Sequence, residues 1–306
     1  MTDPILALES LGYTEREAAF LYLVAVHSGY FLRRQFDYFI DRQRGAIAHH
    51  FLEKARSLGH VEFVDYGESR YVYHLYSKPI YRLVGNADSQ HRRWKGDGAI
   101  RARLMALDYV LENEGDHYLV SDAAKVHFFV EVRRIPLELF TDRDGRLSPL
   151  LAAFPTSVTD RTKPATSPVR FLFADEALLT EKKFRRFLAV AERLLCAIES
   201  FEVIYASNSA YTFPLAKEEF WKRFSDPPLE VQGSLSDGWE QKSHGKMKTQ
   251  ALVHAKFSTL LLKYNYPQLR RKEMPSLSTV RKPGLMNTPQ TVAAPGHGDK
   301  RGLDVG

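Results

Sequence analysis

Apolar positions recur at helical spacing three times in the first third of the chain, and then the period shortens to that of strands. Thr14-Glu15-Arg16-Glu17 is a capping box, in which the Thr14 hydroxyl accepts from the Glu17 amide and the Glu17 carboxylate reaches back to the Thr14 amide. It predicts a helix through Ala18, Ala19, Phe20, Leu21, Leu23, Val24 and Val26, apolar nearly all round and so packed on several sides, with Gly29 as its stop. In FLRRQFDYFID the apolar residues Phe31, Leu32, Phe36, Phe39 and Ile40 take one helical face, and Arg33, Arg34, Gln35 and Asp37 the other. After the turn DRQRG comes a third helix, roughly Gly45 to Leu58. It buries Ile47, Phe51, Leu52, Ala55 and Leu58 and turns Arg44, His49, His50, Glu53, Lys54 and Arg56 toward water. VEFVDY and RYVYHLY, rich in β-branched and aromatic residues, flank Gly67-Glu68-Ser69 and read as a β-hairpin.

Three helices with a tight turn before the third, followed at once by a two-stranded ribbon, predict a winged helix-turn-helix in residues 1–95, whose third helix enters a DNA major groove. Arg42, Gln43 and Arg44 stand at the start of that helix, where guanidinium and amide groups pair with base edges or grip phosphate. Arg70 stands at the wing tip, and Arg33, Arg34 and His49 are further candidate contacts. The expected partner is double-stranded DNA. Some winged helices bind protein instead, and a charge of +2 over residues 1–95 is low for a strong non-specific DNA binder, so an interaction adaptor stays open beside it.

Residues 96–230 predict an α/β domain. Ile100, Leu104, Leu107, Tyr109 and Leu111 make an amphipathic helix, and HYLV and KVHFFVEV read as strands. Residues 141–168 have loop composition and are expected to be mobile. VRFLFAD reads as a buried strand, Thr180 to Ser200 as a helix, FEVIYAS as a strand, and PLAKEEFWKRF as a helix opened by Pro214. The expected fold class is therefore mixed, a winged helix of α+β type followed by a small α/β domain, nuclease-like but degenerate.

The stretch from LGYTEREAAFLYLVAVHSGYFLRRQF through RYVYHLYSKPIYRLVG, with its Tyr-His-Leu strand end and following short helix, resembles the N-terminal winged helix of replication-relaxation family proteins of bacterial plasmids and integrated mobile elements. The resemblance covers about the first third of the chain. It implies DNA binding in replication, transfer or transcription control, with a homo-oligomer or a mobile-element protein as further partner. It also implies a restriction-nuclease-like core with acidic residues on a central strand, where Asp175 and Glu176 end VRFLFAD and Glu131 ends a second strand.

Such nucleases hold Mg²⁺ with carboxylates on strand ends for phosphodiester cleavage. The lysine of an acidic-x-Lys tripeptide is missing, since the chain offers Asp175-Glu176-Ala177 and Glu131-Val132-Arg133. A metal-dependent nuclease is thus the minority reading, and no catalytic residue, cofactor or metal is expected. Gly238 and Gly245-Lys246 lie too far apart for a phosphate-binding loop, and His49 and His50 point about 100° apart on a helix, unlike a helical zinc pair.

Charge changes the picture of the C-terminal region. The net charge is +6, and residues 240–283 alone carry 10 basic and 2 acidic groups. In the basic segment 231–306, Val253, Phe257, Leu260, Leu261 and Tyr264 fall on one helical stripe, which predicts an amphipathic helix over about 249–264 followed by a disordered tail. Lys248, Arg270 and Arg271 are candidate phosphate contacts. The single cysteine, Cys196, excludes a disulfide scaffold and is expected to be a small core residue. No run reaches the roughly 20 apolar residues of a membrane helix, and MTDPILALES has no secretory pattern, so a cytoplasmic protein without membrane partners is expected.

Overall fold

The structure, a computed structural model, describes residues 3–41, 45–66, 70–142, 144, 146–148, 151–152, 155–176, 180–224 and 254–262. The chain divides into two units, Met1–Leu269 and Arg270–Gly306, and every described residue lies in the first. The unit is of mixed α and β structure.

Helix α1 (Pro4–Glu9) starts where the Asp3 carboxylate accepts from the Ile5 amide, and α2 (Glu15–His27) starts on the capping box, with the Thr14 amide 2.8 Å from Glu17 Oε2. Gly29 ends α2 with φ +78°, and a Cβ there would run into the His91 carbonyl, so glycine is required on two counts. Next come β1 (Tyr30–Phe31), α3 (Arg33–Phe39), α4 (Ile47–Ser57), β2 (Val61–Asp65), β3 (Tyr71–Leu75) and α5 (Lys78–Leu83). The hairpin β2–β3 is in antiparallel register, Val61 opposite Leu75 through Asp65 opposite Tyr71. Strand β1 pairs with the other edge of β3, giving the order β1-β3-β2. The helices close around a knot of phenylalanines, with Phe36 stacked on Phe51 at 4.2 Å and Phe20 edge-on to both. Ile47 and Leu58, expected in this core, are exposed at the two ends of α4.

The second sheet has the order β4-β5-β6-β7-β8: β4 (His117–Tyr118), β5 (Thr156–Val158), β6 (Val169–Asp175), β7 (Ser200–Ser207) and β8 (His254–Leu261). Strands β6, β7 and β8 run parallel, and β4 and β5 run antiparallel to their neighbours. Alternate residues of β6 serve two cores. Phe171 and Phe173 meet α8 (Thr180–Ala197) and α9 (Phe213–Phe224), while Leu172 and Ala174 meet α6 (Asp97–Glu112). The far side of α6, through Leu107 and Leu111, belongs to the core of the N-terminal helices. One helix is thus shared by the two parts on either side of position 95.

Four further expectations need correction. KVHFFVEV is not a strand: Ser121 caps α7 (Asp122–His127), which runs into a π-helical turn over Phe128–Val132. The consecutive Phe128 and Phe129 are both buried in one core, which a strand, with its alternating faces, does not allow. The helix expected over 249–264 is, within the described residues, strand β8. Phe257 fits the helical stripe but also, with Ala255, a period of two, and the open edge of β7 decides for the strand. The presumed loop 141–168 contains β5 and a bridge between Thr141 and Leu147. Cys196 is exposed rather than in the core.

Candidate functional site

Helix α4 buries Ala48, Phe51, Leu52 and Ala55 and turns the rest of its surface outward, with His49, His50, Glu53 and Arg56 exposed. Beside it stands a basic and aromatic cluster drawn from three elements. The Arg56 guanidinium lies over the Phe63 ring of β2 at 4.4 Å, and Phe63 meets Tyr71 of β3 edge-on at 5.3 Å. Arg33, at the start of α3, donates to the Gly45 carbonyl at 3.3 Å, which brings that helix end to the turn before α4. Burial pushes the Tyr73 phenol up, and the charges of Arg56 and Arg33 pull against it, so both guanidinium groups act on one ring. Among the described residues each forms its ion pair with a neighbour on its own helix, Arg33 with Asp37 at 3.6 Å and Arg56 with Glu53 at 2.9 Å. Such exposed pairs are worth about 0.3–0.5 kcal/mol and yield readily to a phosphate.

The residues singled out in the sequence fall into three groups. Arg33, His49 and Arg70 are on the surface of this part of the molecule, Arg70 at the foot of β3. Arg42, Gln43, Arg44, Lys248, Arg270 and Arg271 lie outside the described residues. Arg34 points the other way. Its Nη1 and Nη2 each donate to the Asp108 carboxylate of α6 at 2.8 Å, and the Gln35 amide adds a third bond at 2.8 Å. Asp108 is 4 % exposed, so Arg34 neutralises a buried charge and anchors α3 to α6. Arg34→Ala is expected to lower the unfolding free energy by about 2–3 kcal/mol in urea titration, below the usual cost of breaking a buried pair because the arginine itself is partly in water. The sequence turned Arg56 toward water but named neither it nor Phe63 as a candidate contact. The exposed phenylalanine in VEFVDY was their signal, but only the fold sets it under a guanidinium.

The carboxylates of the nuclease reading are placed differently from one another. Asp175 is 1 % exposed and accepts from the Tyr205 hydroxyl. Glu176 packs against Gly98 of α6, where any Cβ would collide with its carboxyl group. One of its oxygens pairs with Lys183 of α8, and the other, Oε2, is buried with no hydrogen-bond partner among the described residues. Glu131 ends no strand; it lies in the π-helical turn, exposed, 3.5 Å from Arg134. Among the described residues no three His, Cys, Asp or Glu side chains are grouped to hold a metal ion.

No family model, curated protein or solved structure matches this chain. Among the described residues no helix is long and apolar enough to cross a membrane. The geometry has to carry the functional argument.

Proposed function

We propose that residues 3–95 form a winged helix that binds duplex DNA, with α4 laid in the major groove and the β2–β3 hairpin as the wing. The observation that carries this reading is the order of α2, α3, α4 and an antiparallel hairpin closed by β1, with the outward side of α4 flanked by Arg33, Arg56, Phe63 and Tyr71. Arg33 and Arg56 grip phosphates on the two sides of the groove, and His49 faces the bases. Arg42, Gln43 and Arg44, which precede α4 in the sequence, are assigned to the same surface from the sequence alone. Arg34 is left out of the contact set, since Asp108 already engages it. The resemblance of the first third to replication-relaxation proteins supports a role at plasmid or mobile-element DNA. The buried engagement of Asp175 and Glu176 gives no reason to add strand cleavage to the reading.

Fluorescence anisotropy of the full chain on random duplex DNA across a salt series tests it. Each phosphate contact contributes about 0.9 to the slope of log K against log salt, so Arg33→Ala combined with Arg56→Ala is expected to flatten that slope by about 2. Arg42→Ala with Arg44→Ala is expected to weaken binding further. Failure of the wild-type chain to bind at low salt sinks the proposal and turns attention to a protein partner for the same face.

A further inference from the structure

Strand β2 carries a phenylalanine where a strand facing water ordinarily carries a polar residue. Val61, Phe63 and Asp65 share one face of β2. Val61 is buried in the core, but Phe63 is 37 % exposed. Tyr71, at the start of β3, is 36 % exposed and lies edge-on to Phe63 at 5.3 Å. Behind them the rings continue inward. Tyr73, directly across the ladder from Phe63, is 6.1 Å from it and stacks on buried Phe31 at 5.3 Å. Phe63 and Tyr71 thus carry an aromatic row out of the core and past its rim.

The surroundings of this pair are cationic. Arg56 lies over the Phe63 ring at 4.4 Å, and the charges of Arg56 and Arg33 both act on Tyr73. Phosphate is the natural counter-charge for the two arginines, but intact duplex leaves the rings without a partner. Its base faces are stacked on one another, and it offers phosphates and groove edges, which guanidinium, hydroxyl and amide groups meet. An aromatic ring binds a base whose face is bare, and any base serves, because every base has a π-face. Stacking one base strengthens binding about tenfold. Freeing a paired base from the helix costs more than that. Proteins that wedge side chains into intact duplex repay the cost by wrapping bent DNA over more of their surface. Residues 1–95, with a net charge of +2, have little surplus charge for such wrapping. Two rings on this wing therefore select bases that are already unpaired.

We infer that the face formed by α4 and the wing recognises DNA in which a duplex adjoins unpaired bases. Phe63 and Tyr71 stack on the first unpaired base, Arg33 and Arg56 hold phosphates beside it, and α4 lies in the groove of the duplex arm. The inference rests on the assignment of this face to DNA and adds the form of DNA that it prefers.

Fluorescence anisotropy of the full chain at one salt concentration tests it on two DNAs of equal length and equal phosphate count, a perfect duplex and the same duplex with a short central run of mismatches. Expected is about tenfold tighter binding to the mismatched duplex. One strand alone, which gives α4 no groove, is expected to bind more weakly than either. Phe63→Leu combined with Tyr71→Leu is expected to abolish the preference while leaving the affinity for perfect duplex and its salt slope unchanged. Tyr71→Phe, which keeps the ring, is expected to keep the preference, and Arg33→Ala to weaken both duplexes by the same factor. Circular-dichroism melting checks that each variant folds. Equal affinity for the two duplexes overturns the inference and leaves the DNA reading standing, whereas no binding to either overturns both. A preference that survives in the double leucine variant also overturns it, since mismatched DNA bends more easily and the rings then play no part. Loss of perfect-duplex binding by the same factor in that variant does so as well. A single strand bound as tightly as the mismatched duplex overturns the assignment to a junction.

Discussion

A chain truncated after Phe224 is expected to lose its cooperative unfolding transition and to aggregate, although the sequence past that point predicts only a basic segment with one amphipathic helix and a disordered tail. Strand β8 pairs with β7 over eight registered positions, from Ser200 opposite His254 to Ser207 opposite Leu261. Without it, β7 becomes an open, apolar edge, the arrangement that promotes pairing with other chains. Phe257 packs on Phe220 at 5.0 Å and on Phe184 at 6.1 Å, so removing β8 also uncovers α8 and α9. Buried Glu202 loses the Ser258 hydroxyl and Lys256 and keeps only Arg170 at 3.0 Å among its described ion-pair partners. Phe257→Ala alone is expected to cost about 2–3 kcal/mol, the low end for a phenylalanine because the ring is only partly buried. Circular-dichroism melting and size-exclusion chromatography read both effects. A chain of residues 1–269, which spares the whole first unit, is expected to melt like the full protein. Cooperative melting of the chain ending at Phe224 is the result that removes β8 from the fold. The charge contribution of the tail to DNA binding has to be tested by deletions that begin beyond β8, since any that begins at 240 removes the strand as well.

Acid is expected to destabilise the protein steeply below pH 6.5. Burial, reinforced by the Lys125 charge, lowers the His27 pKa to about 3, and burial together with the Arg103 charge holds His91 well below its ordinary value. Their unfolded counterparts titrate at the ordinary histidine value of about 6.5. Between the two values the unfolded chain binds the extra protons, so the stability is intact above pH 6.5 and drains away as the pH falls toward 3. From pH 6.5 to 4.5 His27 alone costs roughly 2 kcal/mol, a sizeable share of the stability of an ordinary domain, and His91 acts in the same direction. Urea titrations at a series of pH values measure it, and His27→Gln is expected to flatten the slope by about one proton. A slope unchanged in that variant would mean that His27 titrates alike in both states.

Much of the N-terminal architecture was legible because its signals are local. The capping box at Thr14, the Gly29 stop and the alternation on either side of Gly67-Glu68-Ser69 each act over a few residues, and α2, α3, α4 and the β2–β3 pair follow them. Strand β1 was missed because two residues, Tyr30 and Phe31, carry no period of their own. The candidate site was only half legible. Arg33 and Arg34 are neighbours in one helix and look interchangeable in the sequence, yet one faces solvent and the other a buried carboxylate 74 positions away.

The sequence by itself determined much of the local structure: where α2 starts and stops, that β2 and β3 form a hairpin, and that VRFLFAD is a buried strand. Those choices are governed by capping, backbone freedom and side-chain period, all of which act within a turn or two. The tertiary structure decided whether Phe257 sits on a helix or a strand, where the run KVHFFVEV turns, which arginine is committed to Asp108, and that Arg56, Phe63 and Tyr71 meet on one surface. A strand needs the open edge of another strand, and a charge takes its role from the partner that folding brings to it. Neither is a property of the few residues on either side.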